Sequence, residues 1–511
     1  MTRRQRVAQS AAMIAIFTLI SKGLGFIREV FIASRYGSGV ETDTYFVAMT
    51  ATTIIMGTLG SALNTTLIPI FSEIRGKRGR RQQKIYLNNV LNIVILLTII
   101  MAILAYIFSP IIIKILAKGF EGDQFDAAVR LNRIGLPIVV FLGITYVFSG
   151  YLQSNQVFGP HAIMGIPYNF VFLIYLLFLV KGGDITNLMV VSVIAASTQF
   201  LIQLPAVRHS GYRYSLSFDL RDPYLSKAMI LVLPVLLGSA VRQINVVIDK
   251  TLASELVDGS ISALTYSSRI NEMIIAVFVM AITTVVFPML SKAFSEGDTT
   301  QVRKIFNEGV NIILLITVPA TIGIMLLAEP VVRIFFERNA FDELATAMTS
   351  SALFYYSVGL IGSSLRLMLN KVFYSFQDTK TPMVNGTIAV VLNVVLNLLF
   401  IRFMGHNGLA LATSISAIFT SALLIVDLRK KMGPIGMKGI LITFAKTLVA
   451  ATIMGLIVYI IFFKLGALII SNKLVELIFL LLSIGIGVAV YFGLCLLLRV
   501  KEVSRFFKFN R

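Results

Sequence analysis

Five charged residues lie inside stretches that are otherwise typical of membrane helices. Lys22, Arg28 and Glu29 fall in the first apolar stretch, and Arg269 and Glu272 fall in a later one. Placing a charge at bilayer depth costs roughly 2.5–3.5 kcal/mol on insertion scales. A chain that carries several such charges is therefore expected to build a polar interior from them.

The spacing of these charges favours recognition of an anion. Lys22 and Glu29 are seven residues apart and share a helix face, and Arg269 and Glu272 can pair at i, i+3. Arginine suits phosphate because its guanidinium is planar and bidentate. We interpret the set as a cationic cavity that binds an anionic group. The alternative is a structural salt bridge between helices. Lys22 could instead extend to the membrane surface or pair only with Glu29.

A second group of polar residues carries oxygen atoms that suit a hard cation. Asn245 and Asp249 are four residues apart on one predicted helix, Asn393 and Asn397 are four apart on another, and Thr413 follows on the next. Carboxylate, amide and hydroxyl oxygens bind such ions. The alternative is hydrogen bonding between helices, which is the commoner role of polar residues in membrane spans.

The elements that must position these residues are membrane helices. The chain is 57% hydrophobic and 14% charged, whereas soluble domains carry about 25% charged residues. Apolar runs of about 20 residues indicate helical spans rather than a β-barrel. The sequence predicts an all-α polytopic membrane protein with about 14 spans, near residues 8–34, 42–72, 86–108, 128–154, 161–180, 186–207, 227–252, 260–291, 305–328, 344–375, 383–402, 408–428, 439–463 and 474–498.

The net charge of +20 is distributed as in a membrane protein. More than half of the 45 Lys and Arg residues fall in the termini and loops assigned to the inside, which is the positive-inside bias. The basic run between Arg75 and Lys84 is interpreted as a cytoplasmic anchor near anionic lipid, with a nucleic-acid patch as the weaker alternative. We expect both termini in the cytoplasm and no nucleic-acid partner.

The chain repeats itself at an offset of about 220 residues, which indicates two six-helix halves of the same orientation. Matching positions include Ile32-Ala33-Ser34 with Leu252-Ala253-Ser254, Pro69 with Pro288, and Pro110 with Pro330. The repeat places Glu29 opposite Asp249. The predicted domains are an N-terminal lobe (1–207), a cytoplasmic linker or interfacial helix (208–226), a C-terminal lobe (227–430), two additional helices (439–498) and a cytoplasmic tail (499–511).

Motifs for catalysis are absent from the sequence. No P-loop motif occurs, and the three histidines His161, His209 and His406 have no metal-ligand spacing. The single Cys495 cannot form an intramolecular disulfide. The sequence therefore gives no support to ATP drive through a P-loop, and the paired halves favour a transporter over an enzyme.

Several sequence runs resemble those of MurJ-type lipid II flippases of the multidrug/oligosaccharidyl-lipid/polysaccharide (MOP) exporter superfamily. The resemblance extends across essentially the whole chain. The matching runs are Ser21-Lys22-Gly23-Leu24-Gly25-Phe26-Ile27-Arg28-Glu29, Thr42-Asp43-Thr44-Tyr45-Phe46-Val47-Ala48, Gln243-Ile244-Asn245 with Asp249, Ala263-Leu264-Thr265-Tyr266-Ser267-Ser268-Arg269, and Phe373-Tyr374 with Asp378 and Thr381-Pro382.

The resemblance implies a V-shaped, two-lobed bundle with a cationic central cavity in a bacterial cytoplasmic membrane. The cargo would be lipid II, an undecaprenyl pyrophosphate that carries a peptide-linked disaccharide. Arg28 and Arg269 would bind its diphosphate with support from Lys22, while Glu29 and Glu272 orient the arginines. The two C-terminal helices would form a groove for the lipid tail.

The resemblance also implies coupling to an ion gradient or to the membrane potential, with no cofactor. The cation site of some family members falls on Asp249, Asn393, Asn397 and Thr413, and Na⁺ or H⁺ would be the coupling ion. Membrane lipids and the cell-wall synthesis machinery are the expected partners.

The chain departs from the family pattern at Met56-Gly57, where a basic residue is usual. This departure leaves room for a different cargo, and two further alternatives are open independently of it. The cargo could be another lipid-linked oligosaccharide, such as a teichoic acid, capsule, O-unit or spore-wall precursor. The chain could be a multidrug antiporter, which would favour an acidic cavity. It could also be a non-transporting scaffold for wall assembly.

Overall fold

A computed structural model of the chain describes residues 3–180, 184–469 and 472–508, and these residues contain helices and no strand. The helices of the N-terminal part are α1 (Arg3–Tyr36), α2 (Val40–Ile107), α3 (Ser109–Leu116), α4 (Gly122–Gly135), α5 (Pro137–Ser154), α6 (Gly159–Ile163), α7 (Gly165–Ile174), α8 (Ile185–Leu201), α9 (Leu204–His209) and α10 (Pro223–Ser254). A π-helical turn, Tyr175–Leu179, extends α7.

The C-terminal part continues the all-helical pattern. Its helices are α11 (Ser260–Ile274), α12 (Met280–Ser295), α13 (Thr299–Phe336), α14 (Glu343–Val358), α15 (Leu360–Ser375), α16 (Lys380–Met404), α17 (His406–Met432), α18 (Met437–Tyr459), α19 (Gly466–Ile469), α20 (Lys473–Leu497) and α21 (Lys501–Lys508). Two further π-helical segments, Ile275–Val279 and Ile460–Leu465, join α11 to α12 and α18 to α19.

The chain forms two compact units, Met1–Ser262 and Ala263–Arg511. α10 ends at Ser254 and so lies wholly in the first unit. This division does not test the predicted lobe boundaries, which remain a prediction.

Each unit has its own apolar core. In the first unit, Phe71 packs edge-on against Tyr86 and Tyr151, with ring centroids 5.4 and 5.7 Å apart. In the second unit, Phe306 and Phe373 are buried in a cluster that α13, α15, α18 and α20 share. Many Leu and Ile side chains outside these cores are exposed, among them Leu97, Ile103 and Leu481. Exposed apolar side chains in such numbers are typical of a surface that faces lipid.

The predicted all-α membrane architecture is confirmed, whereas the count of fourteen spans is not. In the described residues, ten helices are long and apolar enough to cross a membrane, or eleven if the bent pair α14–α15 is one span. Two predicted spans, 42–72 and 86–108, both fall within α2, and helical geometry breaks between them at Gly79, where φ is 80°. Neither α1 nor α10 is among the ten.

The segment between α9 and α10 is not helical. The sequence left a linker or an interfacial helix open for 208–226, and the structure has no helix from Ser210 to Asp222. Instead, this segment runs along α2 and is bound by Asn88, Asn89 and Asn92.

Candidate functional site

The Arg28 guanidinium on α1 is bound by two side chains of the first unit. Its Nη1 donates to Oδ1 of Asn169 at 3.1 Å, and its Nη2 donates to Oε1 of Glu29 at 2.6 Å. The Arg28 side chain is 16% exposed and that of Glu29 is 3% exposed. The Nε–H of Arg28 has no hydrogen-bond partner among the residues that the structure describes. The two predicted charges are thus a buried ion pair with donor capacity left over.

Two aromatic rings of α7 also contact this guanidinium. The Cζ atom of Arg28 lies 5.4 Å from the ring centroid of Tyr168 and 5.1 Å from that of Phe172. Cations within about 6 Å of an aromatic face are attracted by the ring quadrupole, and more strongly where water is excluded. Because Tyr168 and Phe172 are four residues apart, they lie on one face of α7.

A close approach of α1 to α7 holds this arrangement in place. A Cβ atom built on Gly165 would lie 2.0 Å from Oγ of Ser21, so no larger residue fits there without a shift. One turn later, Nδ2 of Asn169 donates to the carbonyl oxygens of Ser21 and Gly165 at 3.1 and 2.8 Å. Asn169 therefore bonds to the α1 backbone and to Arg28 at once. The sequence analysis did not identify Asn169. An asparagine in an apolar span often forms hydrogen bonds between helices, so its position could have indicated this role.

Lys22 is placed differently from Arg28. It is exposed on α1 and forms no ion pair or hydrogen bond with any residue in the described part of the chain. Because Lys22 and Glu29 share a helix face but do not pair, the structure gives no support to the interpretation of Lys22 as a partner of Glu29.

The second predicted arginine also pairs with its neighbouring acid, but near the surface of its unit. Nη1 of Arg269 donates to Oε2 of Glu272 at 2.8 Å, and the two side chains are 46% and 50% exposed. Both residues lie on α11, just before the π-helical segment Ile275–Val279. π-helical turns are rare and often occur at functional sites.

A buried carboxylate that was not among the predicted site residues organises the loop before α11. Asp43, on the first turn of α2, accepts hydrogen bonds from the amides of Gly259 and Ser262 at 2.8 and 2.7 Å and from Oγ of Ser262 at 2.6 Å. Gly259 has φ +87°, and a Cβ there would lie 2.9 Å from the carbonyl oxygen of Ser38. Backbone N–H groups at a helix start are natural partners for a carboxylate. In the sequence, the only indication of this role was an acidic residue in the run Thr42-Asp43-Thr44.

The predicted cation ligands are divided between the two units. In the first unit, Nδ2 of Asn245 donates to Oδ2 of Asp249 at 3.0 Å. In the second unit, Nδ2 of Asn397 donates to Oδ1 of Asn393 at 3.1 Å, and Nδ2 of Asn393 lies 3.5 Å from Oγ1 of Thr413. The structure therefore brings Asn393, Asn397 and Thr413 together as one hydrogen-bonded group on α16 and α17.

At the position where the family usually carries a basic residue, the helix packs tightly. Met56 is fully buried, and a Cβ on Gly57 would lie 3.2 Å from Nε2 of Gln243. An apolar side chain and a glycine at this point allow α2 to approach α10 closely.

The turn between α15 and α16 is organised by Asp378. Its carboxylate accepts from the amide and hydroxyl of Thr381 at 3.0 and 2.9 Å, and Nζ of Lys431 lies 2.6 Å from Oδ2. Burial by itself raises the pKa of Asp378, but the hydrogen bonds from Lys431 and Thr381 outweigh it and lower the pKa to about 2. The geometry is that of a helix N-terminus capped by a carboxylate, as expected for a turn.

Known proteins are similar to this chain in both fold and sequence. A family profile described as "Lipid II flippase MurJ" matches residues 32–480. A protein of Rickettsia prowazekii named "Probable lipid II flippase MurJ" is 30% identical over 499 residues, which cover 96% of this chain and 98% of that protein.

Solved structures agree with the sequence matches. A lipid II flippase MurJ in an inward closed conformation has a TM-score of 0.78 and 25% identity, over 94% of this chain and 98% of that chain. An inward-facing multidrug resistance MATE transporter of the MOP superfamily has a TM-score of 0.67 and 15% identity, over 82% and 98% of the two chains, and this likeness shows the fold alone. The resemblance noted from the sequence motifs is confirmed, and the chain belongs to the MurJ family of lipid II flippases.

Proposed function

We propose that this chain translocates lipid II across a bacterial cytoplasmic membrane from the inner to the outer leaflet. The observation that carries the proposal is the family match across residues 32–480. The protein is a transporter and not an enzyme in this proposal, because flipping a lipid changes no covalent bond.

Arg28 supplies the first contact with the diphosphate. A guanidinium carries five N–H donors, and Asn169 and Glu29 engage two of them. The Nε–H is buried, so the second N–H groups of Nη1 and Nη2 are the donors that would contact phosphate oxygens. Glu29 neutralises the guanidinium while the site is empty, which reduces the cost of keeping a charge in a poorly solvated position.

Arg269 supplies the second contact, with Glu272 as its partner in the empty state. Because both side chains are about half exposed, water screens the pair, and a ligand can reach the guanidinium in this proposal. Lys22 adds positive charge on the face of α1 without a fixed partner. The two arginines thus divide the task between a largely buried cation and a half-exposed one.

Transport would proceed by rocking of two lobes, coupled to a Na⁺ or H⁺ gradient or to the membrane potential. One charge moved through 100 mV supplies about 2.3 kcal/mol. Asp249, Asn393, Asn397 and Thr413 are the proposed cation ligands. Cation binding would require the amides of Asn393 and Asn397 to rotate, because Nδ2 of Asn397 now donates to Oδ1 of Asn393.

The C-terminal helices and the orientation complete the proposal. α18 packs against α13 and α20 in the second unit, which supports a role for α18 and α20 in forming a groove for the undecaprenyl tail. Both termini lie in the cytoplasm in this proposal, as the distribution of Lys and Arg indicates. Enzymes of wall synthesis would receive the flipped lipid.

Purified protein in vesicles with labelled lipid II in one leaflet provides the test. We expect lipid II to reach the other leaflet faster than in empty vesicles, and Arg28→Ala with Arg269→Ala to abolish the increase. Movement of a different lipid-linked oligosaccharide, with lipid II left in place, would overturn the substrate assignment. Export of cationic drugs without lipid movement would favour the antiporter alternative.

Complementation gives an independent test in cells. A strain depleted of its own lipid II flippase should regain growth when this chain is expressed. Failure to restore growth, with the protein present in the membrane, contradicts the proposed function. Full function of both arginine variants would instead indicate a scaffold that needs no transport.

A further inference from the structure

The segment between α9 and α10 alternates polar and apolar residues over eight positions. Residues 213–220 read Arg-Tyr-Ser-Leu-Ser-Phe-Asp-Leu. In an extended chain, successive side chains point to opposite faces. The alternation therefore places Tyr214, Leu216, Phe218 and Leu220 on one face and polar residues on the other.

Three asparagines of α2 hold this segment by its backbone. Asn88 donates to the carbonyl oxygen of Arg213 at 3.2 Å and accepts from the amide of Ser215 at 3.1 Å. Asn92 donates to the carbonyl oxygens of Ser215 and Ser217 at 3.0 and 3.1 Å.

Asn89 bonds the end of the segment in the same way. It donates to the carbonyl oxygen of Asp219 at 2.8 Å and accepts from its amide at 2.7 Å. The bonded backbone groups belong to odd-numbered residues throughout, which confirms a period of two along the segment. The hydrogen bonds from the α2 asparagines thus hold the segment in its extended conformation.

The apolar face of the segment is left uncovered within the described structure. Leu216, Phe218 and Leu220 are 75%, 51% and 70% exposed. Tyr214 is 60% exposed, although its hydroxyl donates to Oδ1 of Asn92 at 2.8 Å. Burying such a row in water-excluding surroundings is favourable, and leaving it in water is not. The row therefore needs a partner.

A bilayer surface is the partner that the neighbouring elements favour. The segment begins just after the membrane-span candidate Ile185–His209, and the apolar helix Pro223–Leu233 follows it directly. Tyr and Phe are suited to the interface between headgroups and acyl chains. Arg208, Arg213 and Arg221 are exposed beside the row, and such residues attract anionic headgroups at about 1 kcal/mol each.

We propose that residues 213–220 form a membrane-surface anchor, an extended segment whose apolar face enters the interface of an anionic bilayer. The asparagines of α2 present this face to the lipid by holding the opposite edge of the backbone. The anchor requires neither lipid II nor the cavity arginines.

Quenching of a fluorophore by lipid-borne bromine tests this anchor in the full-length protein. Cys495 is buried and is the single cysteine of the chain, so a Cys495→Ser background carries one label at Leu216→Cys. Leu481→Cys, on the exposed face of α20, reports lipid contact, and Glu296→Cys, after α12, reports water. The vesicles contain phosphatidylglycerol and phosphatidylcholine with brominated acyl chains.

We expect quenching at Leu216 within about twofold of that at Leu481, as for a segment at the interface, and weak quenching by iodide in water. Strong iodide quenching at Leu216, as at Glu296, would overturn the proposal. Protection from both quenchers would also overturn it, because protein and not lipid would then cover the row.

A second variant tests the role of α2. Asn88→Ala with Asn92→Ala removes the backbone contacts, and with them the bonds from the hydroxyls of Tyr212 and Tyr214, but leaves Leu216, Phe218 and Leu220 in the sequence. We expect lipid quenching at Leu216 to fall towards that at Glu296, while quenching at Leu481 stays unchanged. Unchanged quenching at Leu216 would show that the asparagines do not present the row.

Discussion

The Arg28 guanidinium lies between an amide, a carboxylate and two aromatic rings, whereas the Arg269 guanidinium lies half-exposed beside the carboxylate of Glu272. Both residues are arginines next to an acid in an apolar stretch. The difference lies in what the rest of each unit contributes: α7 supplies three side chains to Arg28 through Tyr168, Asn169 and Phe172. Similar charge patterns can therefore produce one cation that is largely buried and another that is half-exposed.

This comparison predicts different tolerance to substitution at the two arginines. A largely buried cation should be sensitive to the shape of its side chain, and a half-exposed one should be sensitive mainly to its charge. The same contrast applies to the two carboxylates Asp43 and Asp378, of which one is buried and the other lies at a turn.

The largest effect is expected at Arg28. Arg28→Ala leaves Glu29 buried without its cation, and breaking such a pair costs about 3–5 kcal/mol. We expect lower abundance, a lower unfolding temperature and no complementation. Arg28→Lys should keep the fold but lose transport, because an ammonium cannot contact Asn169, Glu29 and both rings together.

The control for Arg28 is Arg269→Lys, which should retain most activity. If Arg28→Lys and Arg269→Lys transport lipid II equally well, the two arginines are equivalent and the comparison fails.

The next effect is expected at Asp43. Asp43→Ala removes the acceptor for the amides of Gly259 and Ser262, and each buried donor left without a partner costs about 1–3 kcal/mol. We expect hydrogen exchange at these two amides to become much faster, as measured by mass spectrometry. Asp43→Asn should show a smaller increase, since its oxygen still accepts. Unchanged exchange in Asp43→Ala would mean that these bonds do not hold the loop.

A purely functional effect is expected at Arg269. Arg269→Ala should leave the free energy of unfolding within about 0.5 kcal/mol, as is usual for exposed sites. Transport of lipid II should fall by about tenfold or more, because a hydrogen bond to a charged group contributes roughly 1.5–3 kcal/mol. A large loss of stability would show that Arg269 is structural, and the contrast with Arg28 would then disappear.

The smallest effect is expected at Asp378 and depends on pH. Its pKa is lowered to about 2 from the ordinary value of 3.8, so its contribution to stability is present above about pH 4 and is lost as pH falls towards 2. Because Lys431 is 40% exposed, the contribution should be only about 0.2–1 kcal/mol. Asp378→Asn should unfold as the parent does at pH 2 and slightly more easily at pH 7. An equal difference at both pH values would contradict this.

The membrane class and the charged pairs could be predicted because they are local properties of the sequence. Apolar runs indicate helices, and Arg28-Glu29 and Arg269-Glu272 are neighbours on one helix each. Asn169 and Asp43 could not be placed in the same way. Their partners lie 141 and 216–219 residues away, and helical periodicity contains no information on which distant segments meet.

The boundaries of the helices could be predicted from the sequence only in part. The predicted gap between spans 42–72 and 86–108 does contain a break in helical geometry, at Gly79, but nothing in the apolar pattern identified that residue. The segment after α9 has the alternation of a strand but pairs with helix side chains instead of a sheet. Backbone partners of this kind are supplied by Asn88, Asn89 and Asn92, whose role depends on tertiary packing.

The close contact between Gly165 and Ser21 has a consequence for how genetic data on this chain are read. Gly165 has no charge and no side chain, and a Cβ there would lie 2.0 Å from Oγ and 3.2 Å from Cβ of Ser21. Rotation of the Ser21 hydroxyl can relieve the clash with alanine, whereas a larger side chain should displace α1 and move Arg28 with it. In a saturation mutagenesis screen, Gly165 should therefore tolerate alanine but be intolerant of large residues. A map of essential positions would then include residues that determine the rotational phase of a helix, and counting them as substrate contacts would enlarge the binding site beyond its true extent.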